Sequence, residues 1–155
     1  MQRETSTPVL QLTKLNPRAT TPSYQTAGAA GLDIAACLET DETTITLEPG
    51  ARTAVPTGLA VAIPNGFEGQ VRARSGLSTK HGIGLPNAPG TIDCDYRGEL
   101  RIALINWSAE PYTIRHGARI AQLVIAPVVQ VRVEEVESLD TTARGAGGFG
   151  STGGH

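Results

Sequence analysis

Short runs of β-branched and aliphatic residues, cut by Gly, Pro or Asn about every 8 to 12 positions, dominate the chain from Pro8 onward. Helical periodicity is almost absent. This spacing restricts the chain to an all-β sandwich or barrel, with strands expected at 9–12, 32–36, 43–47, 59–63, 69–73, 100–107, 120–125 and 128–133. Turns such as Glu48-Pro49-Gly50 and Pro64-Asn65-Gly66 separate them. One segment breaks the pattern: in S-G-L-S-T-K-H-G at 75–82, Ser75 is placed to cap a short helix and Gly82 to end it.

A chain of 155 residues supports one hydrophobic core and falls short of two. After 137 the sequence loses the apolar residues a core needs and becomes glycine-rich, so the expected organisation is one β domain at 1–137 and a flexible arm at 138–155. A net charge of −2 argues against a general nucleic-acid surface and leaves room for a small anionic ligand held by individual arginines. Cys37 and Cys94 are too few and too far apart for a disulfide framework, and His81, His116 and His155 show no zinc-ligand spacing. The N-terminus has no apolar signal core, and no run approaches the ~20 apolar residues of a membrane span. A soluble, cytoplasmic protein is expected.

Five polar constellations interrupt this background. Arg74-Ser75-Gly76 sits where a strand gives way to the helix, so it reads either as an anion site or as an ordinary helix start beside a surface Arg. The turn at Asn87-Ala88-Pro89-Gly90 suggests a hairpin whose returning arm presents Asp93, Asp95 and Tyr96. A carboxylate there can take a proton from water; equally, both Asp residues can be turn formers and Tyr96 a packing residue. Arg119 and Gln122 interrupt an apolar strand, and their separation of three puts them on opposite faces if the strand is regular, with Arg119 free to pair with a carboxylate such as Asp95. Asp33 follows the small-residue turn A-G-A-A-G and is either a solvated residue or a metal-supporting carboxylate. The tail carries Arg144, Phe149, Ser151 and Thr152 among glycines.

Taken in order, these segments resemble the five motifs of the trimeric deoxyuridine triphosphatase (dUTPase) family: A-G-A-A-G-L-D-I at 27–34, R-S-G-L at 74–77, G-T-I-D-C-D-Y-R-G-E at 90–99, R-H-G-A-R-I-A-Q-L-V at 115–124 and R-G-A-G-G-F-G-S-T-G at 144–153. The resemblance implies a distorted jelly-roll-like barrel of the β-clip type and a hydrolase that splits dUTP into dUMP and pyrophosphate. Such an enzyme keeps uracil out of DNA and supplies dUMP for thymidylate synthesis. It further implies that Asp93 activates the water that attacks the α-phosphorus. Tyr96 would lie against deoxyribose, and Asn87 with the backbone of Thr91, Ile92 and, less directly, Arg101 would read uracil. Arg74, Ser75, Gly76 and Gln122 would hold the phosphates, and Asp33 would support Mg²⁺ through water. Arg144, Ser151 and Thr152 of the arm would grip the γ-phosphate while Phe149 stacks on the base. A homotrimer with shared sites is implied as well, and in that setting Arg119 and Gln122 can face different subunits.

A deoxycytidine triphosphate deaminase shares the fold, but Tyr96 directly after the Asp93 segment and the glycine-rich arm favour the hydrolase. A non-catalytic nucleotide sensor is disfavoured by the intact Asp93.

Overall fold

The computed structural model describes residues 7–148. Its elements are the strands β1 (Gln11–Lys14), β2 (Leu32–Ala35), β3 (Thr44–Leu47), β4 (Arg52–Ala62) and β5 (Phe67–Arg72), the helix α1 (Ser75–His81), and the strands β6 (Ile83–Gly84), β7 (Gly90–Ile92), β8 (Glu99–Asn106), β9 (Tyr112–Arg115) and β10 (Arg119–Pro127). Two four-stranded sheets, ordered β1-β4-β8-β6 and β2-β10-β5-β7, accompany a two-stranded ribbon of β3 and β9. All pairings are antiparallel. This is the expected all-β, distorted jelly-roll-like architecture with one short helix.

Strand β8 shows how the sequence builds it. Leu100, Ile102 and Leu104 alternate with Arg101, Ala103 and Ile105, and the first set is buried while the second is not. The buried set meets Ile34, Val55, Val71, Ile114 and Leu123 in one core. Removing such side chains from water stabilises the fold by about 1.5–3 kcal/mol each. Asn106 ends the row fully buried, and its amide donates to the carbonyls of Leu47 at 2.9 Å and Glu110 at 2.7 Å. A buried amide is tolerated because its donors are matched.

Several local expectations are corrected. The segment 128–133 forms no strand, although its valines alternate as a strand's would. Within the described residues no neighbouring strand offers it a ladder, and Val129, Val131 and Val133 are 87%, 77% and 88% exposed. Strand β4 starts well before 59, because Pro56 sits at a register shift between Pro56 and Ala60, where a missing N–H does no harm. Strand β9 was not anticipated, since four residues flanked by turns carry too little pattern. The expected hairpin around 87–90 is absent: β6 pairs with β8 and β7 with β5, so this turn crosses from one sheet to the other. Finally, Ser75 is the first residue of α1, not its cap. Arg74 holds the cap position with an extended backbone and no side-chain cap bond, whereas Gly82 does end the helix, at φ 65°.

Candidate functional site

The first half of the site is assembled on β10. Its pairing with β2 sets Arg119 opposite Ala35, Ala121 opposite Ile34 and Gln122 opposite Asp33, so Ile120 is an extra residue and the ladder bulges there. A bulge resets the alternation of faces. Arg119 and Gln122 therefore project from the same face, contrary to the expectation for a regular strand, and the face they share is that of Asp33.

Asp33 is the hub of this face. Its Oδ2 accepts from Arg119 Nη1 at 2.9 Å, and its Oδ1 lies 3.5 Å from Arg74 Nε. Arg119 thus pairs with Asp33 and not with Asp95. Arg74 Nη1 also donates to the Arg119 carbonyl at 3.1 Å, while Gln25 Oε1 is 3.4 Å from Arg119 Nη1. Gln122 Nε2 donates to the carbonyl of Ala73 at 3.1 Å, just ahead of Arg74. Gly31 makes the fit possible: a Cβ there would come within 2.6 Å of Gln122 Oε1. Two guanidiniums share one carboxylate, which leaves positive charge beside the N–H groups that open α1. Arg74, Ser75, Gly76, Gln122 and Asp33 are brought together, and the arrangement is suited to polyphosphate.

The same face answers what kind of metal the site suits. Among the described residues no three His, Cys, Asp or Glu side chains cluster as a metal cage. A single carboxylate beside a phosphate-binding surface fits a hard cation that arrives on the phosphates, keeps its waters and meets Asp33 through one of them. The donor set fits Mg²⁺ in that outer role.

The second half of the site lies on β7 and the loop after it. Strand β7 is an edge strand, paired on one side with β5 through Gly69–Ile92, Gln70–Thr91 and Val71–Gly90. An edge presents main-chain donors and acceptors outward, as reading a planar base requires. Asn87 is exposed just before this edge. The following loop is closed by the Tyr96 N–H donating to the Asp93 carbonyl at 3.2 Å. Tyr96 Oη donates to the Glu99 carbonyl at 2.9 Å, which folds the ring back over Gly98 and leaves it 44% exposed. Asp93 is exposed beside Thr91 and Cys94, and a cavity of about 350 Å³ adjoins all three. Arg101 leaves this region on β8, its guanidinium bonded to the Ala54 carbonyl at 2.9 Å and to Glu99 at 3.3 Å.

The two halves do not meet within one chain. Gly69 faces Ile92 at the start of β5, whereas Arg72, at its end, faces Gln122. Asp93 and Arg74 leave opposite ends of β5, about 20 Å apart at ~3.3 Å per residue. Arg144 stands apart from both; its Nε donates to the Gly147 carbonyl at 2.9 Å within its own turn. Phe149, Ser151 and Thr152 lie outside the described residues. Sequence reasoning gave Arg119 a carboxylate partner but the wrong one, and missed Gln25, because a bulge has no signature in a single sequence. Of the two thiols, Cys37 is buried and its pKa is raised by that burial, which makes it an inert core residue.

The family model named dUTPase matches residues 17–153. A deoxyuridine 5'-triphosphate nucleotidohydrolase of Rhizobium rhizogenes is 59% identical over 132 residues, covering 85% of this chain and 84% of that protein. The protein of the same name from Desulfotalea psychrophila is also 59% identical, covering 85% and 86%. Among solved structures, a Staphylococcus bacteriophage 80alpha dUTPase with dUpNHpp superposes with a TM-score of 0.83 at 30% identity, over 94% of this chain and 98% of that one. A dUTPase from phage phi11 of S. aureus, described for its coordination of a structural Mg(II) ion, gives 0.75 at 28% identity over 86% and 99%.

Proposed function

The chain belongs to the dUTPase family and is an enzyme that hydrolyses dUTP; from that premise we propose that it splits dUTP into dUMP and pyrophosphate at sites shared between the subunits of a homotrimer. The observation that carries this reading is the separation of Asp93 from Arg74 on a single chain. Water can be activated by one and phosphate held by the other only if neighbouring copies bring them face to face. The exposed, alternating Val129, Val131 and Val133 support the same assembly, since a strand pattern without a partner among the described residues suits one in another chain.

Asp93 is the general base. It takes a proton from the water that attacks the α-phosphorus, and the bond to the bridging oxygen of pyrophosphate breaks as the new one forms. Arg74, Ser75, Gly76 and Gln122 hold the triphosphate in line for that attack, an orientation that lowers the barrier by making the step effectively unimolecular. Mg²⁺ arriving on the triphosphate would supply neutralisation of charge on the phosphate oxygens. Asp33 would meet it through water, while its ion pairs fix Arg74 and Arg119.

Uracil is read by the outward edge of Thr91 and Ile92 with Asn87 and the backbone at Arg101, because a base with the wrong donors leaves buried polar groups unpaired. Tyr96 lies against deoxyribose and leaves no room for a 2'-hydroxyl. The arm at 138–155 closes the site of a neighbour, with Arg144, Ser151 and Thr152 on the γ-phosphate and Phe149 on the base. The core domain is then 1–137. Two free thiols suit a reducing cytoplasm, where the product serves thymidylate synthesis.

Pyrophosphate release measured across dUTP, dCTP, dTTP and UTP tests the reading. Release from dUTP alone supports it, and comparable release from UTP or dCTP would overturn the assigned sugar and base contacts.

A further inference from the structure

Arg97 belongs to neither the phosphate cluster nor the base-reading edge, yet it holds the loop that carries Asp93 and Tyr96. Its Nη1 donates to the carbonyl of Cys94 at 2.7 Å and to that of Tyr96 at 2.9 Å. The two hydrogens of one guanidinium nitrogen serve two carbonyls on the same loop. Bonds from a cationic donor are stronger than neutral ones, so this bridge is a firm constraint on an otherwise exposed segment. Arg97 also borders a groove of about 250 Å³ with Leu12, Ala60 and Val61 of β1 and β4, which places the side chain between the loop and the other sheet.

Two other bonds act on the loop, from the Tyr96 N–H to the Asp93 carbonyl at 3.2 Å and from Tyr96 Oη to the Glu99 carbonyl at 2.9 Å, and neither engages the carbonyls of Cys94 and Tyr96 that Arg97 holds. Asp93 and Tyr96 are exposed, and where the Asp93 carboxylate points follows from the backbone that bears it. We infer that Arg97 is a positioning residue for the reaction, setting the direction of the Asp93 carboxylate and the placement of the Tyr96 ring through the carbonyls of Cys94 and Tyr96. This inference rests on the roles proposed for Asp93 and Tyr96. Losing the bridge lets both side chains drift together, and a misplacement of ~1 Å is worth about 10²-fold in rate. Turnover and sugar discrimination therefore fall together, which a residue that only stabilised the fold would not produce.

The test uses the full chain with Arg97→Met and Arg97→Lys, reading kcat and KM for dUTP, the dUTP-to-UTP ratio of kcat/KM, and thermal midpoint. Arg97→Met is expected to lower kcat by about 10- to 100-fold and to lower the dUTP-to-UTP ratio, with the midpoint nearly unchanged. Arg97→Lys should fall between, because an ammonium does not reproduce the planar fork. Wild-type kcat and discrimination in Arg97→Met would overturn the inference. If Arg97→Met does not fold, Arg97→Lys decides: intermediate kcat with weakened UTP rejection upholds the role, and wild-type values remove it. Asp93→Asn, measured alongside, separates the two failures. An active Asp93→Asn sinks the general-base assignment, whereas an inactive Asp93→Asn beside an unimpaired Arg97→Met sinks only the positioning role.

Discussion

Arg119 and Gln122 stand three residues apart on one strand and still face the same way, because the ladder between β10 and β2 carries an extra residue at Ile120. Both side chains therefore serve the Asp33 face. Arg119 grips the carboxylate and Gln122 reaches the Ala73 carbonyl that precedes Arg74. The proposed phosphate-binding half of the site depends on this bulge as much as on the residues themselves.

Gly31→Ala should disturb that face without unfolding the chain. The new Cβ meets Gln122 Oε1 at 2.6 Å and Gln122 Cβ at 3.2 Å, so the amide must swing away from Ala73. A fall of about 10-fold in kcat/KM for dUTP is expected. Steady-state kinetics beside a melting curve checks it, and unchanged kcat/KM would mean that Gln122 need not hold its present position.

Asp93→Asn should lower kcat by about 10²- to 10⁴-fold, the usual worth of a general base. Affinity for dUpNHpp should stay within a few-fold, since the amide occupies the same space. Calorimetric titration with single-turnover kinetics distinguishes lost chemistry from lost binding.

Because Asp93 and Arg74 leave opposite ends of β5, the inactive variants Asp93→Asn and Arg74→Ala should complement each other. Random mixing of subunits restores the intact pairing in about one quarter of the shared sites of a symmetric trimer. Co-refolding the two at equal amounts and measuring pyrophosphate release gives the answer; no activity beyond that of the separate variants would place both residues in one chain's site.

Among the described residues, deleting 144–155 removes none of the core, and Arg144 bonds only to Gly147 of its own turn. The shortened chain should keep its melting temperature and its oligomeric state. Its turnover should drop by about 10²-fold or more. Loss of the fold instead would make the segment structural.

The thiols should differ in reactivity and in their effect on stability. Cys94 is partly exposed and should react quickly with a disulfide reagent, while buried Cys37 waits for unfolding. Burial raises the Cys37 pKa above its ordinary 9.0, so the folded chain holds that proton more tightly than the unfolded one. Its contribution is full below pH 9.0 and is lost as pH rises past that value. Thermal midpoints at about pH 8 and about pH 10 should therefore fall more steeply for the natural chain than for Cys37→Ala.

The sequence was most legible where alternation was long. Strand β8 could be read from its own pattern, and so could the helix stop at Gly82. Legibility failed where pairing, not pattern, decides the outcome. The valines at 129, 131 and 133 alternate well and pair with nothing among the described residues, and the turn at 87–90 looked like a hairpin although its arms join different sheets. The candidate residues Arg74, Asp93 and Gln122 stood out in the sequence by type alone. Their geometry did not, because the Ile120 bulge and the spread of β5 between Arg74 and Asp93 are properties of the ladder.

The unpaired valine segment carries a hazard for the newly made chain. Left uncovered, Val129, Val131 and Val133 form the kind of short apolar β stretch that seeds fibrous aggregates when crowded. The intervening Gln130, Arg132 and Glu134 act against that outcome, for Arg132 and Glu134 form an exposed ion pair that a stacked copy would have to desolvate. Charge along this segment thus guards the exposed valines, and replacing Arg132 or Glu134 by an aliphatic residue would be felt first as lost yield of soluble protein.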